Sequence, residues 1–224
     1  MRFRFMALCI ALACATTAAP AQVSVSIGIN VPVYPRFAAV PGYPVYYAPG
    51  LPANFFFYDG VYWVLEGDNW FMSSWYNGPW QLVAPAYVPY DVLRVPVRYY
   101  RAPPPYFRGW APGAPPRWGQ QWGPQWEQQH PDWDRWNRRV VPKPAPLPTY
   151  QRQYSGERYP RTEQQPEVHG RNYRYQPHSD VARQYYQQQA PQPPARQAQP
   201  EPQRGKGQGH GKDKREEGSQ APGR

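Results

Sequence analysis

The chain has 224 residues, a formal net charge of +10 and an aromatic content of 17%, together with 32 prolines and 18 glycines. The proline and glycine content approaches that of low-complexity chains, yet the aromatic content is too high for a protein that is disordered throughout. The composition therefore excludes full disorder and predicts one small aromatic-rich core between long irregular flanks.

Residues 1–21 have the three parts of a secretory signal peptide. Arg2 and Arg4 precede an apolar stretch over 5–15, and Ala19-Pro20-Ala21 fits the small-residue cleavage rule. The apolar stretch is shorter than the about 20 residues that a membrane-spanning helix needs. We expect cleavage after this motif and a mature protein in the periplasm, the outer envelope or the extracellular space.

A second interpretation of the same segment is a lipoprotein signal. Ala11-Leu12-Ala13-Cys14 resembles the motif at which bacterial lipoproteins are acylated on cysteine, although the usual leucine three places before the cysteine is Ala11. Anchoring at Cys14 therefore stays open as an alternative. Cys9 and Cys14 are the only cysteines, so a cut after residue 21 leaves no disulfide, cysteine metal ligand or thiol nucleophile.

Residues 22–53 are expected to form an amino-terminal strand and a linker rich in proline and tyrosine. Apolar residues occupy every second position from Val23 to Val33, which is the period of a strand with one apolar face. Pro32 favours an end or an edge position for that strand. Residues 34–53 have no such period.

Residues 54–100 are predicted to form an aromatic β-module. Asp59-Gly60 lies between two aromatic and β-branched runs, which is a strong hairpin signal because a type I′ turn needs positive φ at both central residues. Turns at 66–69 and 76–79 add two strands, over 70–75 and 80–83. The pattern predicts a four-strand antiparallel meander.

The strand pairing divides the side chains between two apolar faces. One face is predicted to hold Phe56, Tyr58, Val61, Trp63, Leu65, Trp70 and Met72. The other is predicted to hold Phe55, Phe57, Tyr62, Val64, Phe71, Trp75, Trp80 and Leu82. Such a sheet needs a cover on each side. We expect a fifth strand over 93–99 and a sixth over 23–33, giving a mostly β, barrel-like or sandwich-like fold.

The rest of the chain is expected to be irregular. In the segment rich in proline, tryptophan and arginine over 101–140, tryptophans recur every four residues from 118 to 126, but Gly119, Gly123 and Pro124 oppose a helix there. A short helix is predicted over 131–139, where acids begin and arginines end the segment. Residues 141–224, rich in proline, glutamine and arginine, are predicted to be a disordered basic tail.

The charge is distributed unevenly. Residues 22–90 hold one basic and three acidic residues, whereas residues 91–224 hold 22 basic and 12 acidic residues. Arginines interleaved with aromatics are suited to an anionic polymer. The predicted polyanion contacts are Arg94, Arg98, Arg101, Arg108 and Arg117, with a solvated cationic linker as the alternative interpretation.

Four tryptophans of the module, Trp63, Trp70, Trp75 and Trp80, are candidates for a ligand-stacking surface. The alternative is that they form the core, because a small sheet needs large apolar residues to bury. None of the four histidines (His130, His169, His178 and His210) has a metal-ligand spacing, and all lie outside the predicted core. We therefore expect neither an enzyme nor a cofactor or metal site.

Three runs resemble a group of uncharacterised exported proteins of Gram-negative proteobacteria. The runs are Tyr58-Asp59-Gly60-Val61-Tyr62-Trp63, Ser73-Ser74-Trp75-Tyr76-Asn77-Gly78-Pro79-Trp80 and Val95-Pro96-Val97-Arg98-Tyr99-Tyr100. The resemblance covers about residues 54–140 and continues through 106–110 and 116–119. It implies an envelope location and no particular activity.

Two functions of different classes follow from these observations. The first is a non-enzymatic envelope protein whose cationic tail contacts lipopolysaccharide or another anionic envelope polymer, with a second envelope protein as a further possible partner. The second is a carbohydrate-binding module that uses the tryptophan face. An exported hydrolase and a nucleic-acid binder fit the sequence less well.

Overall fold

One open antiparallel sheet of seven strands organises the molecule. The computed structural model describes residues 24–25, 28–137 and 139–189. The strands are β1 (Ser24–Val25), β2 (Ala38–Ala39), β3 (Tyr46–Tyr47), β4 (Asn54–Tyr58), β5 (Val61–Glu66), β6 (Asn69–Ser73) and β7 (Trp80–Val83), in the spatial order β1-β7-β6-β5-β4-β3-β2. The predicted signal peptide, Cys14 and the part of the predicted tail from residue 190 onwards lie outside the described residues.

The predicted four-strand meander is confirmed as β4 to β7. Tyr58 pairs with Val61 across the first turn, where Asp59 has a φ of 51° and Gly60 a φ of 86°, as a type I′ turn requires. Glu66 pairs with Asn69 across the second turn. The two turns fix the register of three strands over their whole length.

The strands that extend the meander are not those expected. The fifth strand predicted over 93–99 is wrong, because Pro89 and Pro96 each start a helical turn there. β3 and β2, from the segment expected to be a linker, occupy that edge of the sheet instead. At the other edge, Ser24–Val25 of the predicted strand over 23–33 pairs with β7, and the described residues 28–33 form no strand. The sheet therefore stays open and does not close into a barrel over the described residues.

The predicted division of side chains between two faces is confirmed. Phe56, Trp63 and Trp70 pack in one core, which we call the first core, and Phe55 and Tyr62 pack in another on the opposite side of the sheet, the second core. Two residues differ, because Leu82 is half exposed and Trp75, beyond the end of β6, is buried but belongs to neither of these two cores. Both cores are needed to keep this sheet out of water.

Short helices and turns cover both faces. The α-helices are α1 (Tyr90–Leu93), α2 (Trp118–Trp122), α3 (Pro124–Gln129), α4 (Gln165–Asn172) and α5 (Asp180–Gln189). Single 3-10 turns span Pro85–Tyr87, Val97–Tyr99, Pro105–Phe107, Thr149–Gln153 and Gly156–Arg158. Residues 88–133 and α5 cover the first core, and residues 29–37 and 145–175 cover the second.

The helix expected over 131–139 is wrong, since residues 131–134 form turns and the helices lie over 118–129 instead. Gly123 and Pro124, which oppose a helix there, separate α2 from α3. Gly123, with a φ of 86°, ends α2, and Pro124 occupies the first turn of α3, where its missing N–H costs nothing.

The prediction that disorder begins at residue 141 is also wrong. Residues 141–189 contain α4, α5 and two 3-10 turns that pack on the sheet. The physical reason is that tyrosines are concentrated there: all seven tyrosines of 141–224 lie between Tyr150 and Tyr186. The average composition of 141–224 is polar and proline-rich, and it does not show that the tyrosines are concentrated in one part of the segment. In the described part of the chain, no helix combines the length and the apolar character needed to cross a membrane.

Candidate functional site: an arginine-bearing surface loop

The four candidate tryptophans are core residues. Trp63 and Trp70 lie in the first core and Trp80 in the second, and none of the three is more than 3% exposed. Trp75 is fully buried and packs edge-on against Tyr154, with 5.4 Å between ring centroids. Their burial contradicts a ligand-stacking surface on the sheet, because a sugar ring or base cannot reach them in the folded protein.

Arg94, one of the five predicted polyanion contacts, is an internal structural residue. Its guanidinium donates to the main-chain carbonyls of Trp133, Asp132 and Arg135 and lies over the ring of Trp136, 4.9 Å from the centroid. The donors of Arg94 are therefore used to hold the segment that follows α3.

The other four predicted arginines, Arg98, Arg101, Arg108 and Arg117, are exposed on one surface loop, residues 97–117, which we call the arginine loop. Two main-chain hydrogen bonds bring the two ends of this loop together, from the Val97 N–H to the Ala114 carbonyl (3.0 Å) and from the Arg98 N–H to the Pro112 carbonyl (3.1 Å). The loop is thus a fixed part of the cover of the first core.

No acidic residue occurs in the sequence between Asp91 and Glu127, so the arginine loop itself carries positive charge alone. Within the described residues, none of its four arginines forms an ion pair. Arg98 lies over the neighbouring ring of Tyr99, with 5.2 Å from Cζ to the centroid. Elsewhere in the described residues, three exposed arginines pair with acids three or four positions away, whereas the others, such as Arg158 and Arg174, form no ion pair. The pairs are Arg135–Asp132, Arg171–Glu167 and Arg183–Asp180.

Carboxylates of other segments lie near two points of the loop, one at its end and one at Tyr106 in its interior. A groove of about 580 Å³ is lined by Arg117 together with Glu127 and Asp134, so Arg117 faces carboxylates of the next segment. Burial, followed by the nearby carboxylate of Asp68, raises the pKa of Tyr106. Arg98, Arg101 and Arg108 are consequently the part of the loop best suited to an anionic partner.

Aromatic rings anchor the loop on the first core. Phe107 is buried against Tyr100 and Trp118, with centroid distances of 5.0 and 5.7 Å. The Trp110 ring stacks on Phe107 at 4.6 Å, and Trp110 is partly exposed. The sequence had placed these aromatics next to the arginines, but their separation into buried anchors and surface rings required the structure.

Polar residues of 141–189 that sequence reasoning missed form a buried network on the other face. The Tyr62 hydroxyl donates to Gln151 Oε1 (2.9 Å), and Gln151 Nε2 donates to the Ser74 carbonyl (2.8 Å). His169 is 7% exposed, which contradicts the expectation that it lies outside the core, and its Nδ1 lies 2.8 Å from the Tyr150 hydroxyl. Burial lowers the pKa of His169 to about 4.

The buried carboxylate of Asp59 joins the hairpin of β4 and β5 to α5. The Asp59 carboxylate accepts hydrogen bonds from the Tyr175 hydroxyl, the His178 N–H and both the N–H and the hydroxyl of Ser179, at 2.6 to 3.0 Å. These donors satisfy the carboxylate without a cation. In the sequence, the feature that pointed to Asp59 was the predicted Asp59-Gly60 turn.

These polar groups have hydrogen-bond partners within the fold. Among the residues that the structure describes, no set of three histidine, cysteine or acidic side chains is placed to hold a metal ion. The arginine loop therefore remains the surface with the most distinctive chemistry.

Comparisons of the chain with known protein families, with curated proteins and with solved structures give no match.

Proposed function

We propose that this protein is a non-enzymatic binding protein of the cell envelope and that its arginine loop contacts an anionic polymer such as lipopolysaccharide or a wall polymer. The observation that carries the proposal is the set of exposed arginines on 97–117, which have no acid within their own segment and no ion pair among the described residues. Arginine forks onto carboxylate and phosphate groups, so unpaired guanidinium groups on a fixed loop suit such a partner.

The distribution of charge supports the folded loop rather than the end of the chain as the principal contact. Residues 91–189 hold 15 basic and 8 acidic residues, whereas residues 191–224 hold 7 basic and 4 acidic residues. Most of the excess positive charge therefore belongs to the part of the chain that packs on the sheet. The signal peptide predicted over 1–21 supports the proposed envelope location.

The test compares two triple variants that remove the same charge. R98Q/R101Q/R108Q removes unpaired arginines of the loop, and R135Q/R171Q/R183Q removes arginines that pair with acids elsewhere. Binding of the mature protein to lipopolysaccharide and to heparin is measured by titration at several salt concentrations. We expect the loop variant to weaken binding about tenfold or more at low salt and to flatten the salt dependence, because fewer counterions are released.

The control variant should bind within about twofold of the wild type, since its side chains already interact with carboxylates. Equal losses in the two variants would mean that net charge alone governs binding and that the loop is not the site. In a second experiment, the same binding is measured for a protein truncated after residue 189. If truncation abolishes binding while the loop variant does not, the contact lies in 190–224.

A further inference from the structure

A single tight turn presents Trp110 and Arg108 together at the surface. The Trp110 N–H donates to the Phe107 carbonyl (3.0 Å), which closes a four-residue turn over 107–110. Arg108 has φ −58° and ψ 128°, and Gly109 has a φ of 80°. These angles define a type II turn, in which glycine is favoured at the third position because φ is positive there. Arg108 occupies the outermost corner of the turn and is exposed.

The turn also fixes the orientation of the Trp110 ring. One face of the indole stacks on Phe107, with an interplanar angle of 30°, and its edge contacts Tyr106 at 5.7 Å. No other aromatic ring or guanidinium among the described residues packs on Trp110, which is partly exposed. Trp110 and Trp122 are both partly buried against the first core, and Trp122 stacks on the buried Trp118 at 4.5 Å.

We propose that Trp110 is a stacking subsite for a sugar ring, so that the anionic polymer bound by the arginine loop is a polysaccharide; this inference rests on the proposed function. A pyranose ring presents a face of C–H groups that packs on an indole, while acidic groups on the same or the next sugar accept hydrogen bonds from the Arg108 guanidinium. Because the turn holds both side chains, the two contacts can be made at once.

A polysaccharide fits this geometry better than a nucleic acid does. Proteins that bind single strands stack successive bases on several aromatic rings along a basic groove. The arginine loop offers one surface tryptophan beside several arginines, which suits a polymer that carries its charge on the ring substituents. The expected export of the chain also favours an envelope glycan.

The experiment uses the mature protein over 22–224 and three anionic probes without lipid. Polygalacturonate carries carboxylates on sugar rings, polyglutamate carries carboxylates without rings, and a single-stranded oligodeoxynucleotide carries phosphates and bases. Trp110→Ala is compared with Tyr87→Ala. Tyr87 is 67% exposed and lies outside the arginine loop, so this control removes a surface aromatic ring elsewhere. Thermal unfolding of each variant confirms that it is folded, and Trp110→Phe, which keeps a stacking ring, is a second variant in case the alanine variant unfolds.

We expect Trp110→Ala to weaken binding of polygalacturonate about tenfold and to leave binding of polyglutamate within about twofold. Trp110→Phe should retain most of the affinity for polygalacturonate, and Tyr87→Ala should change neither polymer. If both polymers bind through the arginines and Trp110→Ala affects neither or both equally, the stacking subsite is overturned while the proposed function stands. If the oligonucleotide shows the strongest dependence on Trp110, the assignment to a polysaccharide is wrong. Failure of all three probes to bind contradicts the proposed function itself.

Discussion

The imidazole of His169 lies between the Tyr150 hydroxyl and the ring of Tyr186, where burial lowers its pKa to about 4 from an ordinary value of 6.5. The ring centroids of His169 and Tyr186 are 5.0 Å apart, and the rings are inclined by 25°. The neutral imidazole can accept the hydrogen bond of Tyr150 at Nδ1, whereas the protonated form cannot. This residue therefore makes the packing of α4 sensitive to acid.

We predict that the contribution of His169 to the free energy of unfolding is fully present above about pH 6.5 and is lost as the pH falls towards 4. In that interval the unfolded chain binds a proton that the folded protein does not, so acid favours unfolding. The pKa difference corresponds to about 3 kcal/mol at most. Urea unfolding between pH 4 and pH 8 measures the effect.

The matched variants are His169→Gln and His178→Gln. His169→Gln removes the titrating group and should flatten the difference between pH 7 and pH 4.5, whereas His178→Gln, at an exposed side chain, should keep the wild-type profile. Identical profiles for all three proteins would show that carboxylates alone produce the acid sensitivity.

At the scale of elements, the hairpin turn of β4 and β5 has two tasks. Asp59 adopts the positive φ that the type I′ turn requires, and its carboxylate also receives the donors at 175–179 that precede α5. The hydroxyl of Tyr186 donates to the Gly60 carbonyl at 2.7 Å, which is a second contact between the α5 region and the same turn. The turn thus connects residues about 120 positions apart in the chain.

We predict that Asp59→Asn loosens α5 while it preserves the hairpin, because Asn-Gly also favours a type I′ turn. The loss of hydrogen bonds to a charged acceptor should cost about 2 kcal/mol of unfolding free energy. Trypsin should cleave at Arg174 and Arg183 faster than in the wild type, with little change at Arg98. Glu66→Gln, at an exposed acid of the second turn, is the control and should change neither quantity.

The same elements show which features of the fold can be predicted from the sequence alone. Asp59-Gly60 between aromatic runs predicted the hairpin, its register and the two faces, because side-chain alternation follows from the pairing. The covers could not be predicted, since short helices at 118–129 depend on the core contacts of Trp118 and Trp126 rather than on propensity. Gln151 and His169 look like solvated residues in sequence and become buried only because Tyr62, Ser74 and Tyr150 satisfy them.

The candidate site was predicted only in part, because it also depends on contacts between segments that are distant in the sequence. The pattern of arginines beside aromatics singled out four residues that are exposed in the structure, but it included Arg94, whose neighbours at 132–136 come from a different segment. It also gave no reason to separate Trp110 from the buried tryptophans. Exposure of a single ring depends on the whole set of packing contacts, which no local pattern specifies.

At the scale of the whole molecule, the sheet packs between two covers, and the segment 141–189 contributes to both of them. We predict that a protein truncated after residue 189 keeps a cooperative thermal transition, because no described contact is removed. Truncation after residue 140 should abolish that transition, because it uncovers Phe55, Tyr62 and their neighbours in the second core.

The truncated proteins are compared by near-ultraviolet circular dichroism and by limited proteolysis. In the full-length protein, a protected fragment should extend beyond Tyr150 and include Tyr186. Early cleavage throughout 141–174, with the β4–β7 region still protected, would contradict the packing of this segment on the sheet.

The hydrogen bond between Tyr186 and Gly60 spans 126 positions of the chain, and this separation has a consequence for biosynthesis. The meander is complete at Val83, but the last residues that cover it emerge about 100 residues later. At about 5–20 residues per second, its apolar faces stay uncovered for about 5 to 20 seconds on the ribosome. We expect the nascent chain to depend on a chaperone during this interval, and to fold only after the whole segment up to α5 has been released.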